Sequence, residues 1–420
     1  MKNVFAEVIT IGDELLYGQT IDTNTQWMGQ ELNRIGVKII RKTSIGDRKE
    51  DIVSALEEAS TRADIVLITG GLGPTKDDIT KVTLAEYFDT PISIRPQALA
   101  DLKALFAERN FPMTALNEQQ AALPEKCIMV PNTMGTAPGM WFEEAGKVYG
   151  SMPGVPYEMK TMMTRTVLPR LQETFALPVI FHQMIQTVGI GESWLAEKIA
   201  DWEDNLPPHI RLAYLPSFGK VKLRLTAVGD NMLDLEREVA EQVERVAPII
   251  DQYVFGYGEI QLEEAIGHAL IQSGKTLALA ESCTGGFVAH TVTSVPGSSR
   301  YFRGGLIPYD NSLKIDPLGV REETLQQYGA VSEETVREMA ENVRTLLRAD
   351  IGLATSGIAG PDGGTPEKPV GTIWIALADD SSTTAKKLTL GQDRLVNIQR
   401  TTVAVLNLLR LQLQGSSDAS

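Results

Sequence analysis

Glycine-rich strings recur where an apolar run gives way to a helical pattern, and each holds groups with chemistry open to them. Gly70-Gly71-Leu72-Gly73-Pro74-Thr75-Lys76-Asp77-Asp78 follows a buried-strand run at 64–69 and precedes a helix. Glycines there let backbone amides approach phosphate oxygens, and a helix N-terminus adds partial positive charge. The adjacent carboxylates Asp77 and Asp78 would repel a bound phosphate unless a divalent cation lay between them. Hard oxygen ligands of this kind suit Mg²⁺ or a similar ion. The alternative is a Gly/Pro turn in which Asp acts as a cap. Gly12-Asp13-Glu14 leaves the first strand, Asn24 stands at the start of the next helix, and Met152-Pro153-Gly154 again joins a strand to a helix. The candidates for cradling a nucleotide are Gly12, Asp13, Glu14, Asn24, Gly70, Gly71, Gly73, Pro74, Thr75 and Gly154. Asp77 and Asp78 are the candidate metal ligands.

The last third pairs similar strings with nucleophiles. Glu281-Ser282-Cys283-Thr284-Gly285-Gly286 leaves a strand and enters a helix, where small hydroxyls and glycines can cradle an anion. Gly297-Ser298-Ser299, Tyr309, Lys314, Ser356-Gly357 and Gly391-Gln392-Asp393-Arg394 follow in order. A serine nucleophile needs a base. His290 is the only histidine nearby and falls inside a predicted helix beyond Cys283, so a Ser–His–Asp set lacks its parts. Tyr309 and Lys314 offer another route. A lysine whose pKa is lowered by burial or cationic neighbours can accept a serine proton, directly or through a tyrosine hydroxyl. Arg394 could lower that pKa or hold a substrate phosphate in bidentate fashion. Cys283 is a rival nucleophile by chemistry, although free cysteine is more often a small buried residue.

The elements that position these groups follow from periodicity. Residues 1–176 alternate strands (4–11, 37–45, 64–69, 127–131, 147–151) with helices (23–36, 50–62, 79–88, 96–109, 157–175), which means a doubly wound α/β domain with a largely parallel sheet. Residues 177–256 read as a small α+β segment with strands at 179–188, 210–215 and 221–228. Residues 257–415 form a second α/β domain with strands at 276–280, 305–309, 351–355 and 372–378. Ser332 is placed to cap a helix through Leu347, and a last amphipathic helix covers 395–413.

Composition bounds the function. The 420 residues suit about three domains. Thirty-nine basic against 54 acidic side chains give a charge of −15, which argues against a general nucleic-acid binder. No apolar stretch reaches the 18 residues a membrane helix requires, and Glu7, Asp13 and Glu14 interrupt any signal-peptide core. Two distant cysteines, Cys127 and Cys283, exclude a disulfide framework and suit a reducing cytoplasm.

GDELLYG, TGGLGPTKDD and MPGVPYEM together resemble the N-terminal domain of the CinA family, which is similar to molybdopterin-binding domains of the MoaB/MogA type. ESCTGG, GSS, a tyrosine with a lysine five residues on, SGIAGPDGG with KPVGT, and GQDR resemble the CinA C-terminal domain, which also occurs alone as a nicotinamide mononucleotide amidohydrolase. The middle segment fits that family's KH-like domain but lacks GxxG, so RNA binding by it is not expected. The resemblance implies a Ser/Tyr/Lys amidase without cofactor. Ser299 would be the nucleophile and Tyr309 and Lys314 its activators. Ser282, Thr284, Gly285, Ser356, Gly357 and Arg394 would hold substrate. It also implies metal-dependent hydrolysis of ADP-ribose by the N-terminal domain, small nucleotide substrates and a cytoplasmic homodimer. Two departures stand out: a Gln392 spacer in GQDR, and Ser356 where many relatives carry Thr. Two other readings remain at this stage, a pterin- or nucleotide-binding module without turnover and a competence or DNA-damage scaffold.

Overall fold

The computed structural model describes residues 4–75 and 78–415. The chain divides into two compact units, Met1–Phe181 with Val228–Leu235, and His182–Ala227 with Glu236–Ser420.

In the first unit the strands are β1 (Phe5–Ile11), β2 (Lys38–Ile45), β3 (Ile65–Thr69), β4 (Ile92–Ile94), β5 (Ala122–Pro124), β6 (Ile128–Val130), β7 (Gly139–Glu144) and β8 (Lys147–Met152). Six form one sheet in the order β2-β1-β3-β8-β7-β6. β2, β1, β3 and β8 run parallel, and β7 and β6 add an antiparallel edge. Burial on both faces explains the near-continuous apolar runs. Ala6, Val8, Ile65 and Leu67 pack with Met28 and Leu32 of the helix Thr23–Arg34 on one face. Ile9, Ile11, Val66 and Ile68 pack with Ile52 and Leu56 of the helix Lys49–Arg62 on the other. Each such fully buried Leu or Ile contributes roughly 1.5–3 kcal/mol over leaving it exposed.

β7 was not expected from the sequence. It forms a hairpin with β8 through Ala145-Gly146, both at positive φ, a two-residue turn whose twist matches the flanking strands. β4 and β5 pair with each other in a separate ribbon, and at three residues each they carry no readable alternation.

β9 (Val179–Val188), β10 (Ile210–Ser217), β11 (Lys220–Gly229) and β12 (Val254–Tyr257), most of whose residues fall in the second unit, form a sheet in the order β10-β11-β9-β12, accompanied by the helices Glu192–Asp204 and Met232–Ile250. A further sheet, ordered β14-β13-β15-β16-β17, contains β13 (Leu277–Glu281), β14 (Phe302–Leu306), β15 (Ile351–Gly357), β16 (Thr372–Ala378) and β17 (Thr383–Thr389). Only β14, β13 and β15 are parallel; β16 and β17 return antiparallel. The second α/β domain therefore has a mixed sheet. β17 escaped the sequence reading because it is a half-exposed edge, and its Lys386 and Lys387 are the kind of charges that protect such edges from further pairing. Ser332 does cap the helix Glu333–Leu346, accepting from the Thr335 amide at 3.3 Å.

Candidate functional sites

The glycine strings of the first domain converge because their strands are neighbours. β1, β3 and β8 lie side by side and parallel, so Gly12, Gly70 and Gly154 leave the sheet at one rim. Open α/β sheets bind ligands beyond these carboxyl ends. The Gly70 amide donates to Met152 O at 3.0 Å. Gly70 has φ +114°, and a Cβ there would stand 2.2 Å from Ile11 O, so the close approach of two strand ends requires glycine. Asn24 ties the rim together: its Nδ2 donates to Gly154 O at 2.7 Å and Thr69 Oγ1 at 3.3 Å, while Thr69 Oγ1 donates to Pro153 O at 2.9 Å. Asn24 Oδ1 and Thr80 Oγ1 are buried at this rim with no hydrogen-bond partner among the described residues. Thr80 opens the helix Thr80–Tyr87, and its amide donates to Gly71 O at 3.1 Å.

The carboxylates are arranged differently from the expectation. Asp77 lies outside the described residues. Asp78 accepts from the Thr75 amide at 2.9 Å and from the Thr75 hydroxyl, so it closes the Gly73-Pro74-Thr75 turn; it does not cap the following helix, whose N-cap, Ile79, has no side-chain hydrogen bond. The Glu14 carboxylate folds back over Gly12, and Asp13 reaches toward Gly46, its own amide donating to Asp47 at 3.1 Å. Among the described residues no three His, Cys, Asp or Glu side chains converge as a metal cage. Glu158, unassigned from sequence, is nearly buried and accepts from Asn132 Nδ2 at 2.7 Å, which anchors the 132–135 turn beside the domain's last helix.

In the C-terminal domain the same topological logic holds. β14, β13 and β15 are adjacent and parallel, so the strings 282–286, 307–310 and 357–360 emerge at one edge. Lys314 sits in the short helix Asn311–Ile315 and is 1% exposed. Its Nζ donates to Pro308 O at 2.8 Å and Tyr309 O at 3.2 Å. Burial pushes its pKa below the usual lysine value, with Asp310 and Cys283 partly offsetting that. Burial, not Arg394, is thus the cause of the depression. Arg394 instead donates to the Tyr309 hydroxyl oxygen at 2.9 Å and to Gly360 O at 2.8 Å. Tyr309 is 57% exposed. Ser299 is exposed, and its hydroxyl has no hydrogen-bond partner among the described residues.

Two hydroxyls expected to hold substrate are used inside the fold. Ser356 Oγ donates to Ala330 O at 2.6 Å. Thr284 Oγ1 donates to Glu281 Oε2 at 2.7 Å and lies 2.7 Å from Thr355 Oγ1. Ser282 is almost buried, with its amide on Thr355 O, while Gly285 is exposed and Gly357 half-buried. The residue overlooked in the sequence is Glu281. Its buried carboxylate accepts from the amides of Gly286, Val288 and Ala289 at 3.0, 3.0 and 2.7 Å, holding the start of the helix Phe287–Thr293 against the end of β13. A glutamate ending a strand just before a Gly-Gly helix start was the available signal. Burial raises the Cys283 thiol to about 12, which removes it as a nucleophile at neutral pH.

Three stretches of the chain match known families. Residues 7–173 match the "Probable molybdopterin binding domain", 182–256 the "Damage-inducible protein CinA KH domain", and 259–413 the "CinA C-terminal domain". A molybdopterin-binding-like domain, a KH-like domain and a CinA C-terminal domain in one chain define a three-domain architecture of mixed α/β type. A CinA-like protein of Cytophaga hutchinsonii is 52% identical over 98% of this chain and 99% of its own length, and one of Amoebophilus asiaticus is 45% identical over 97% and 99%. A crystal structure of the protein CinA with unknown function from Thermoplasma acidophilum is 30% identical, covering 41% of this chain and 99% of that one with a TM-score of 0.37. The chain belongs to the CinA-like family. Among the described residues no helix is long and apolar enough to cross a membrane.

Proposed function

We propose that this protein is a bifunctional hydrolase of pyridine-nucleotide salvage, cytoplasmic and homodimeric, with no nucleic-acid partner. Its C-terminal domain deamidates nicotinamide mononucleotide to nicotinic acid mononucleotide and ammonia. Its N-terminal domain cleaves ADP-ribose to AMP and ribose 5-phosphate. The observation that carries the first activity is the environment of Lys314. In the neutral amine, two N–H bonds satisfy the Pro308 and Tyr309 carbonyls, and the lone pair remains to take a proton. Burial lowers the pKa toward the working pH, as a general base requires.

Ser299, whose role comes from the family resemblance and whose hydroxyl is exposed, attacks the amide carbon. Its proton is assigned to Lys314, directly or through the Tyr309 hydroxyl, which requires Ser299, before the amino end of β14, to come within reach of groups that follow that strand's carboxyl end. Because Arg394 donates to that hydroxyl oxygen, the phenolic O–H stays free to donate onward. Backbone amides of a glycine-rich loop hold the oxyanion. The collected proton goes to the departing nitrogen, which leaves as ammonia, and water then hydrolyses the acyl-enzyme.

The second activity rests on the three adjacent glycine-bearing strand ends, which suit a pyrophosphate, and on the unpartnered Asn24 Oδ1 and Thr80 Oγ1 beside them. The described carboxylates do not form a cage of their own. They fit a divalent ion in the mode in which one or two carboxylates share it with substrate phosphates; Asp77 and Asp78 would hold it, Asp78 through the oxygen that Thr75 does not use. When bound, such an ion neutralises charge and orients water.

The test is to incubate the purified protein with nicotinamide mononucleotide, and separately with ADP-ribose and Mg²⁺, assaying ammonia and AMP. Ammonia release that disappears in Ser299→Ala, with AMP release retained, is expected. Retained deamidation in Ser299→Ala removes Ser299 from its role. ADP-ribose binding without AMP release leaves the N-terminal domain as a binding module.

A further inference from the structure

The C-terminal unit contains a cavity of about 740 Å³ whose lining includes no residue of the sites above. Its walls come from the Gly189-Ile190-Gly191 turn that links β9 to the helix Glu192–Asp204, from the start of β11, from β17, and from the body of the helix Arg394–Leu413. Lys220, Lys386 and Arg400 line it, and none of the three has an ion pair or a side-chain hydrogen bond among the described residues. Glu192 is the carboxylate on the lining. Three unpaired cations around one cavity are conspicuous in a chain of net charge −15.

A fourth cation sharpens the point. Arg410 also lines the cavity and is 5% exposed. Its donors meet Asn407 Oδ1 at 2.9 Å, Val254 O at 3.2 Å, Gln414 Oε1 at 2.7 Å and Gln252 O at 2.7 Å, all neutral acceptors. Burial works against its charge, and Asp251 acts on it only through space. Buried charges are ordinarily paired with an opposite one, so an anion in the cavity would supply what the fold leaves out.

The turn adds to this. Gly191 lines the cavity and stands at the N-cap of a 13-residue helix, with no side-chain hydrogen bond to the first-turn amides. Gly189 has φ +82°. A Cβ at Gly191 would lie 2.6 Å from the Trp194 ring, so glycine lets the indole fold over the turn. Trp194 is 69% exposed and belongs to the same lining. An exposed indole beside an uncapped helix start and unpaired cations joins an aromatic surface to an anion site.

We propose that this cavity binds a 5′-mononucleotide, its phosphate at the Gly191 turn among Lys220, Lys386 and Arg400, and its base on Trp194. The volume lies within the range of small-molecule sites, and the acidic chain would repel a polyanion. The proposal stands apart from the two reactions above, because it uses none of their residues.

The test uses the full chain labelled with 5-fluorotryptophan, the Trp194 resonance being identified by its loss in Trp194→Phe. Fluorine NMR is followed during titration with AMP, inorganic phosphate, adenosine and a single-stranded oligonucleotide. AMP should shift that resonance saturably, while phosphate and adenosine act at least tenfold more weakly. Lys386→Glu with Arg400→Glu should weaken AMP binding at least tenfold at an unchanged melting temperature. The proposal is overturned if millimolar AMP leaves the Trp194 resonance in place, if phosphate alone matches AMP, if the double variant binds like the wild type, or if the oligonucleotide displaces AMP. AMP bound at the N-terminal rim would move other tryptophan resonances and leave this one unchanged.

Discussion

Lys314→Met separates the lysine's chemistry from its packing. Methionine keeps an unbranched chain of similar length in a site that is 1% exposed, so the cavity stays filled. Two carbonyls, Pro308 O and Tyr309 O, lose their donor, at about 1–3 kcal/mol for each buried acceptor left without one. Removing a buried amine returns its desolvation cost, so the net change in stability should stay within roughly 2 kcal/mol. The rate behaves otherwise. Loss of a positioned base costs about 10²–10⁴-fold, so kcat/KM for deamidation should fall by that factor while the fold survives. The pH dependence carries a sign. Burial depresses the Lys314 pKa, so wild-type activity rises with pH as the amine deprotonates and levels off below the ordinary lysine value of 10.5. Between the folded pKa and the unfolded value the unfolded chain binds more protons, so stability also rises with pH across that window. Lys314→Met should lose both trends. Ammonia release at graded pH, with denaturant melts in parallel, measures them. A rate within tenfold of wild type, or a basic limb that persists in Lys314→Met, refutes the assignment.

The other expectations are simpler. Glu281→Ala removes one carboxylate that serves three backbone amides and Thr284; charged hydrogen bonds at about 1.5–3 kcal/mol each point to a loss of at least ~3 kcal/mol in urea melts, and a loss below ~1 kcal/mol would mean the helix start holds itself. Burial lifts the thiols of Cys127 and Cys283 to about 11 and about 12, so neither should react with a thiol reagent at pH 8 in the native protein although both react in guanidinium; Cys283→Ala should keep deamidating. Asp78→Ala should abolish AMP release from ADP-ribose and leave ammonia release unchanged, and undiminished metal-dependent AMP release would transfer the ion to other groups.

What the sequence made legible follows from periodicity and from glycine. The runs at 64–69 and 351–355 are buried on both faces, so composition alone marks them as central strands. Gly70 stands out because no other residue tolerates its backbone and its contact with Ile11 O. β17 and the ribbon of β4 and β5 were invisible for the opposite reason, since half-exposed or three-residue strands have little pattern to read. Among the site residues, the string order located Tyr309, Lys314 and Arg394 in one domain. It did not say that the Lys314 amine faces main-chain carbonyls or that Arg394 meets the phenol. The first depends on how residues 308–314 fold back on themselves, and the second on a contact between residues 85 apart in the chain.

Thr284, Ser356 and Asp78 show what residue type alone leaves out. Each is a polar group in a glycine-rich string, and from sequence each is as good a ligand contact as its neighbours. In the fold each satisfies a nearby polar group: a buried carboxylate, the Ala330 carbonyl, and the Thr75 amide. A loop that carries many glycines has few side chains to hold its shape, so the hydroxyls and carboxylates it does contain are drawn into holding it. The groups left for a ligand are then those the loop does not need: backbone amides, the unpartnered Asn24 Oδ1 and Thr80 Oγ1, and the exposed Ser299 hydroxyl. Both Thr75 bonds fall on Asp78 Oδ2, so Asp78 can serve a metal through Oδ1 while it keeps Thr75. Binding of a divalent ion should therefore leave the 73–75 turn closed, and amide hydrogen exchange at Thr75 that becomes faster on adding Mg²⁺ would refute this use of the two oxygens.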